Sequence, residues 1–229
     1  MPADEVRVWS CRLDTLPASV DCTCLSADEH ARAARWHHAI NRERYIAGRA
    51  WLRHRLAQCL GVAPASIRFH TETHGKPVLA APPMPLQFNL SHSADRALLA
   101  VTRGRRVGAD IEQMRANDDI EAIARRHFAP SELDQWLLLA PERRLQGFYA
   151  GWTRKEAYVK ALGGGLGTVA LDGFEVSLDP DRPAALQSIG GSNDAARHWS
   201  LWSLDVAPGF AAAVVVEGTS LRLHMTDEI

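Results

Sequence analysis

Cysteine is scarce in this chain, and Cys11, Cys22, Cys24 and Cys59 show no paired C-x-x-C spacing of the kind that holds zinc. No apolar run approaches the length of a membrane span. Asp4 and Glu5 stand where a secretory signal would carry a basic region followed by an apolar stretch. The expectation is therefore a soluble, cytoplasmic chain with reduced thiols and no membrane contact. A large charge excess is also missing: the formal net charge is -1, which argues against general nucleic-acid binding through a basic field. Neither a low-complexity linker nor a clear internal repeat breaks the sequence. Two short motifs are absent as well, the G-x-S-x-G elbow of α/β hydrolases and the G-x-x-x-x-G-K-[ST] phosphate loop.

What is present is 229 residues, 46% hydrophobic and 23% charged, enough for one large domain or two small ones. Charge is locally uneven. Arg32, Arg35, Arg42, Arg44, Arg49, Arg53 and Arg55 are offset only by Glu43.

Alternation predicts a strand over 6–13. Ser26 and Glu29 fit a capping box, so a helix should begin near Ala27. A second helix, capped by Asn41, should carry Tyr45, Trp51, Leu52, Leu56 and Leu60 on one face and end at Gly61. A short strand is expected at 67–69, a turn at 74–77, and strands from 87, over 97–102 and over 106–112. The last two are expected to form a hairpin around Gly104. Helices are predicted over 120–127, over 131–139 with Ser131 as cap, and over 144–162. Strands should then follow at 174–178, 199–204 and 210–216. The pattern gives two tightly packed halves, 1–113 and 114–229.

In the strand ending at Glu112, Val107, Ala109 and Ile111 should face a core. Gly108, Asp110 and Glu112 then share the other face. Two carboxylates on one face repel unless a cation lies between them, and a hard ion such as Mg²⁺ suits them. Gly108 would leave room there for a ligand. The alternative is a solvent-exposed acidic edge. Glu156 and Lys160, four apart, share a helical face and form either a surface ion pair or a metal ligand or base beside a phosphate-binding lysine. Lys155 is a further candidate for phosphate oxygens. Ser91 and His92, at a strand end, could donate to a phosphate monoester or satisfy a turn. Arg44 and Arg49 could bind phosphate bidentately or face solvent. His70 and His74 are read as loop residues.

Four segments occur in a specific order: Gly75-Lys76-Pro77, Phe88-Asn89-Leu90-Ser91-His92-Ser93, Gly108-Ala109-Asp110-Ile111-Glu112, and Trp152-Thr153-Arg154-Lys155-Glu156-Ala157-Tyr158-Val159-Lys160. From about residue 42 to 167 the chain resembles the 4′-phosphopantetheinyl transferases of the larger, surfactin-synthetase-activating type. That resemblance implies an α+β fold of two similar α/β halves about a pseudo-twofold axis, with coenzyme A in the cleft between them. It implies transfer of the phosphopantetheine arm of coenzyme A to a serine of an apo acyl or peptidyl carrier protein. It assigns Asp110, Glu112 and Glu156 to Mg²⁺, Glu156 also as base, and Lys160 to the leaving phosphate. Lys155 would help hold the pyrophosphate, and Ser91, His92, Lys76 and Arg44 the nucleotide and its 3′-phosphate. Glu29 departs from the family, which often has a lysine near the start of the first helix. One chain would supply both halves of the cleft, implying a monomer. Residues 128–139 and the segment near Pro64 are candidates for meeting the carrier.

Overall fold

A computed structural model describes residues 1–73, 75–116, 119–165, 167 and 169–228; His74 thus lies outside the described residues. The first part of the chain runs through β1 (Glu5–Arg12), α1 (Ala27–Ala33), α2 (Ala39–Leu60), β2 (Arg68–Thr71), β3 (Pro77–Ala81), β4 (Leu86–Ser93), β5 (Arg96–Arg103) and β6 (Val107–Gln113). Helices α3 (Ile120–His127), α4 (Pro130–Leu138) and α5 (Pro141–Ala161) follow, then β7 (Phe174–Val176), β8 (Leu186–Ile189) and α6 (Asn193–Ala196). Strands β9 (Trp199–Leu204), β10 (Phe210–Glu217) and β11 (Arg222–Glu228) complete it. One sheet has the order β11-β1-β5-β4 and a second β6-β10-β9; β2-β3 and β7-β8 are two-stranded.

Period-two alternation builds the layers. On one face of the first sheet Cys11, Phe88, Leu99 and Val101 pack against Trp51, Leu52 and Leu56 of α2. On its other face Val6, Val8, Leu98 and Ala100 meet Val107, Ala109, Ile111, Val214 and Val216 of the second sheet. The outer face of that second sheet, with Ala213 and Val215, lies against Ala157 and Ala161 of α5. The stack is helix, sheet, sheet, helix, an α+β architecture.

Within β6 the expected alternation holds, but Gly108, Asp110 and Glu112 face α5 and not open solvent. A Cβ on residue 108 would lie 2.0 Å from the Ala157 carbonyl oxygen and 2.4 Å from the Ala161 nitrogen. The space left by Gly108 is filled by helix backbone, which corrects the expectation that it accommodates a ligand.

Several local expectations also change. The Ser26–Glu29 capping box forms, and Gly61 ends α2 in the left-handed region at φ 70°. His38, one residue before α2, is its N-cap, so Asn41 lies inside the first turn. In α4, Pro130 occupies the first turn, and the Glu132 carboxylate accepts the Ala129 N–H at 2.7 Å. Ser131 instead donates to Glu175. His70 sits in β2 and not in a loop. Strands β5 and β6 do not pair; the hairpin is β4–β5, turning through Ala94 at φ 51°. At residues 103–107 the chain passes from one sheet to the other. The expected boundary at 113/114 is crossed twice by strand pairing. Strand β6 pairs with β10, and β11, which was not anticipated, returns to lie parallel to β1.

Lys155 requires a correction. Its Nζ lies 2.7 Å from Glu132 Oε2, and neither side chain is exposed (0%). It also donates to the Leu171 and Phe174 carbonyls, both at 2.7 Å, while Glu132 Oε1 accepts the Val176 N–H at 2.7 Å. Burial pulls the ammonium down and the carboxyl up, each opposed by the attraction of its partner. Lys155 therefore ties α5 to α4 and β7 inside the C-terminal core, away from any pyrophosphate. Successive helical residues diverge by about 100°, so adjacency to Glu156 puts Lys155 on a different face.

Gly108→Ala should cost about 1–3 kcal/mol in urea unfolding. Gly48→Ala, whose Cβ would meet only Leu13 Cδ2 at 3.6 Å, should be neutral or stabilising by about 0.4–1 kcal/mol. Equal effects would contradict the close helix–strand approach. Lys155→Met should destabilise by about 3–5 kcal/mol because Glu132 is left as an unpaired buried charge. Combining it with Glu132→Gln should cost less than the sum of the single changes in the same unfolding assay.

Candidate active site

Beside their packed faces, the two large sheets also approach along the edge strands β4 and β6, where side chains take the place of a backbone ladder. Asn89, Ser91 and Ser93 share one face of β4, as residues two apart must. Asn89 Oδ1 accepts the Ala109 N–H at 2.8 Å. Ser91 Oγ donates to Asp110 Oδ1 at 2.9 Å, and Ser93 Oγ donates to Glu112 Oε2 at 2.8 Å. The seam thereby fixes both carboxylates of β6.

Helix α5 brings the remaining groups. Lys160 Nζ lies 2.5 Å from Asp110 Oδ1 and 3.1 Å from Ser91 Oγ, so its partner is Asp110 and not the Glu156 expected of a surface i,i+4 pair. Asp110 is 2% exposed and Glu156 6%. Burial raises the Asp110 carboxyl, with Lys160 and Ser91 opposing. Glu112 is raised by burial and by Asp110. Glu156 is pushed up to about 7 by burial, then by the Asp110 and Glu112 charges, against the pull of Lys160.

Two buried oxygens here, Asp110 Oδ2 and Glu156 Oε1, have no hydrogen-bond partner among the described residues. Buried polar atoms are rarely left so. A hard divalent cation fits this donor set, which offers carboxylate oxygen alone. Among the described residues no three His, Cys, Asp or Glu side chains already converge at metal-holding distances; Lys160 takes the place of a counter-ion at Asp110.

A hollow of about 420 Å³ is lined by Lys76, Asp110, Glu112, Trp152, Glu156 and Lys160. Lys76 Nζ donates to the carbonyls of Val107 (3.0 Å) and Lys160 (2.9 Å), joining the start of β6 to the end of α5. Burial lowers this ammonium to about 8. Gly75, Pro77 and Leu90 also line a larger cleft of about 660 Å³ next to it. That cleft is basic, with Arg32, Arg44, Arg49, Arg53, Arg68 and His92 on its walls.

Glu29 organises this basic wall. Its oxygens pair with Arg49 at 2.6 Å and Arg53 at 2.8 Å, and the two guanidiniums lie over the Phe69 ring at 4.6 and 5.3 Å. The departure from a lysine at this position is therefore a positioning carboxylate beneath arginines. Arg44 is held by Asp14 at 2.7 Å. Ser91 and His92, adjacent on β4, point to opposite faces: Ser91 toward Asp110, and His92 into the arginine cleft. Burial and then Lys160 lower the His92 imidazole.

The structure thus brings Lys76, Asp110, Glu112, Glu156 and Lys160 to one hollow, with Ser91 behind Asp110, and Arg44 and His92 to the neighbouring cleft. It excludes Lys155 from both. Asn89 and Ser93 were missed as individual residues, although their spacing around Ser91 is the period of a strand face.

Comparison with known proteins follows this geometry. A profile of the 4′-phosphopantetheinyl transferase superfamily matches residues 106–215, and one described as 4′-phosphopantetheinyl transferase, N-terminal, matches residues 8–103. The chain is 39% identical over 220 residues to the 4′-phosphopantetheinyl transferase HetI of Nostoc sp., covering 94% of this chain and 89% of that protein. It is 32% identical over 167 residues to a 4′-phosphopantetheinyl transferase of Bacillus subtilis, covering 73% and 72%. A holo-(acyl-carrier-protein) synthase from Bacillus anthracis, solved in complex with CoA (3′,5′-ADP), aligns at TM-score 0.40 and 26% identity over 49% of this chain and 96% of that one. With motif order, both profiles and near full-length identity in agreement, the chain belongs to the 4′-phosphopantetheinyl transferase superfamily.

Proposed function

We propose that this protein moves the 4′-phosphopantetheine arm of coenzyme A onto a serine of an apo acyl or peptidyl carrier protein, releasing adenosine 3′,5′-bisphosphate. The observation that carries this is the pair of buried carboxylates with unsatisfied oxygens, Asp110 and Glu156, beside Glu112 and Lys160 in a hollow that adjoins a cleft walled by arginines. Such a pair of hollows suits a ligand with a pyrophosphate at one end and a further phosphate at the other.

Asp110, Glu112 and Glu156 would hold Mg²⁺, which supplies charge neutralisation at the pyrophosphate when bound. Ser91 keeps Asp110 oriented, and Ser93 does the same for Glu112. Lys76, with two of its three donors spent on carbonyls, keeps one for a phosphate oxygen. Arg44 and His92 serve the nucleotide and its 3′-phosphate. A serine hydroxyl is a weak nucleophile at neutral pH. Glu156 accepts the hydroxyl proton directly or through water. The serine oxygen bonds to the phosphorus that carries the pantetheine arm, and the bond from that phosphorus to the bridging oxygen breaks. Lys160 stabilises the negative charge gathering on the departing bisphosphate or donates a proton to it.

Both hollows are built from one chain, which supports a monomer. The four cysteines are free, in keeping with the cytoplasm, and no helix among the described residues is long and apolar enough to cross a membrane.

Incubation with coenzyme A, Mg²⁺ and a panel of apo carrier domains should add the phosphopantetheine mass to at least one of them. Cleavage of coenzyme A without a carrier would instead identify a hydrolase. Glu156→Gln should lower kcat by about 10²–10⁴-fold while coenzyme A binding, measured by calorimetry, stays within a few-fold. Retained turnover would remove Glu156 as base. Arg44→Ala should raise the KM for coenzyme A about 10-fold but leave that for dephospho-coenzyme A unchanged, since a charge-assisted contact to the 3′-phosphate is worth about 1.5–3 kcal/mol. A parallel rise in both would place Arg44 outside the 3′-phosphate site.

A further inference from the structure

The junction between α1 and α2 is a patch that the chemistry above does not use. Every residue from 34 to 43 is exposed. Trp36 is 42% exposed and Ile40 47%, although both are large apolar side chains and lie only four residues apart. Around them stand Arg35 and Arg42, and neither guanidinium forms an ion pair or hydrogen bond among the described residues. Their neighbours behave differently, since Arg44, Arg49 and Arg53 are each engaged by a carboxylate. Nor do Arg35 and Arg42 line the basic cleft, whereas Arg32 does. They are therefore not placed to read a nucleotide held there.

The patch adjoins the reaction site. Trp36 and Asn41 line a hollow of about 350 Å³ together with Ser93, Arg115 and two residues of the basic cleft, Arg44 and His92. Ser93 is the residue whose hydroxyl holds Glu112 at 2.8 Å. Whatever rests on Trp36 thus lies beside the acidic end of the seam, at a rim shared with Arg44 and His92 of the basic cleft.

The other exposed apolar side chains offer less. Leu138 is 86% exposed, but Phe128, Glu132 and Trp136 in the same stretch are buried. A singly exposed leucine needs no explanation. Two apolar anchors framed by unpaired arginines do, because aromatic and arginine side chains dominate binding hot spots and the positive charge that Arg35 and Arg42 leave over the single carboxylate of Glu43 selects an acidic partner.

We propose that this patch docks the carrier protein through an acidic surface with an apolar contact next to its acceptor serine. Trp36 and Ile40 supply the anchor, and Arg35 and Arg42 supply the charge complementarity. This rests on the transferase function proposed above, whose macromolecular substrate must reach Glu112 and Glu156.

The test is a set of steady-state transfer assays with one apo carrier domain, each variant first checked by thermal melting. The Trp36→Ala, Ile40→Ala double variant should raise the carrier KM about 10-fold or more. The kcat at saturating carrier and the KM for coenzyme A should stay at wild-type values. Arg35→Glu, Arg42→Glu should raise the carrier KM similarly, and the difference from wild type should shrink as salt is added. An unchanged carrier KM in both variants, with wild-type transfer intact, overturns the docking face and leaves the transfer reaction standing. A KM for coenzyme A that rises in step with that for the carrier also overturns it, by assigning the patch to the nucleotide. Absence of transfer by the wild type to every carrier in the panel defeats the proposed function and the docking face together.

Discussion

Helix α5 can lie directly on β6 because residue 108 has no side chain. With the Ala157 carbonyl oxygen 2.0 Å from where a Cβ would stand, any other residue would push the helix outward. The same contact sets the distance between the face of β6 that carries Asp110 and Glu112 and the face of α5 that carries Glu156 and Lys160. A shift of the helix by the width of a methyl group would open the Lys160–Asp110 contact of 2.5 Å. The chemistry therefore depends on a backbone-to-backbone packing contact, and the glycine is placed by the period of the strand two residues before the first carboxylate.

Helix α5 carries two lysine–carboxylate pairs that differ in how fully they are satisfied. Lys155 and Glu132 have partners from both side chain and backbone, and they join three elements of the core. The Lys160–Asp110 pair is less fully met: among the described residues Asp110 Oδ2 has no partner, nor has the nearby Glu156 Oε1. Burying several carboxylates around one ammonium is costly in a low-dielectric setting. Fully connected hydrogen bonding at the first pair suits a structural role. The unmet negative charge at the second suits a site that gathers a cation and phosphate. The seam from Asn89 to Ser93 holds that strained arrangement in place from the opposite side.

Much of the fold was legible because it is written in local patterns. The capping box at Ser26, the stop at Gly61 and the strand over Trp199–Leu204 all follow from neighbouring residues. Pairing was less legible because it is not local. The parallel return of β11 to β1 depends on chain ends far apart in sequence, and the alternation of Leu223 and Met225 is its only local trace. The expected hairpin around Gly104 failed because a turn signal does not say which sheet the next strand joins. Motif order grouped Asp110, Glu112, Glu156 and Lys160, which line one hollow. It could not separate neighbours that local geometry sends apart: Lys155 lies about 100° around the helix from Glu156, and His92 lies across the strand from Ser91. Glu29 stands where the family often has a lysine, and its role became legible only in the fold, which pairs it with Arg49 and Arg53.

The central claim is that the unmet charge of Asp110 and Glu156, with Glu112 beside them, is answered by a divalent cation in the presence of coenzyme A. It is tested most directly by thermal melting with coenzyme A, with and without Mg²⁺, comparing the wild type with the Asp110→Asn, Glu156→Gln variant. Binding to the folded state alone raises the melting temperature, with a stabilisation that grows as the logarithm of ligand concentration over Kd. Mg²⁺ should raise the melting temperature of the wild type and leave that of the variant unchanged. An equal rise in both proteins, or none in the wild type at millimolar Mg²⁺, would contradict the claim.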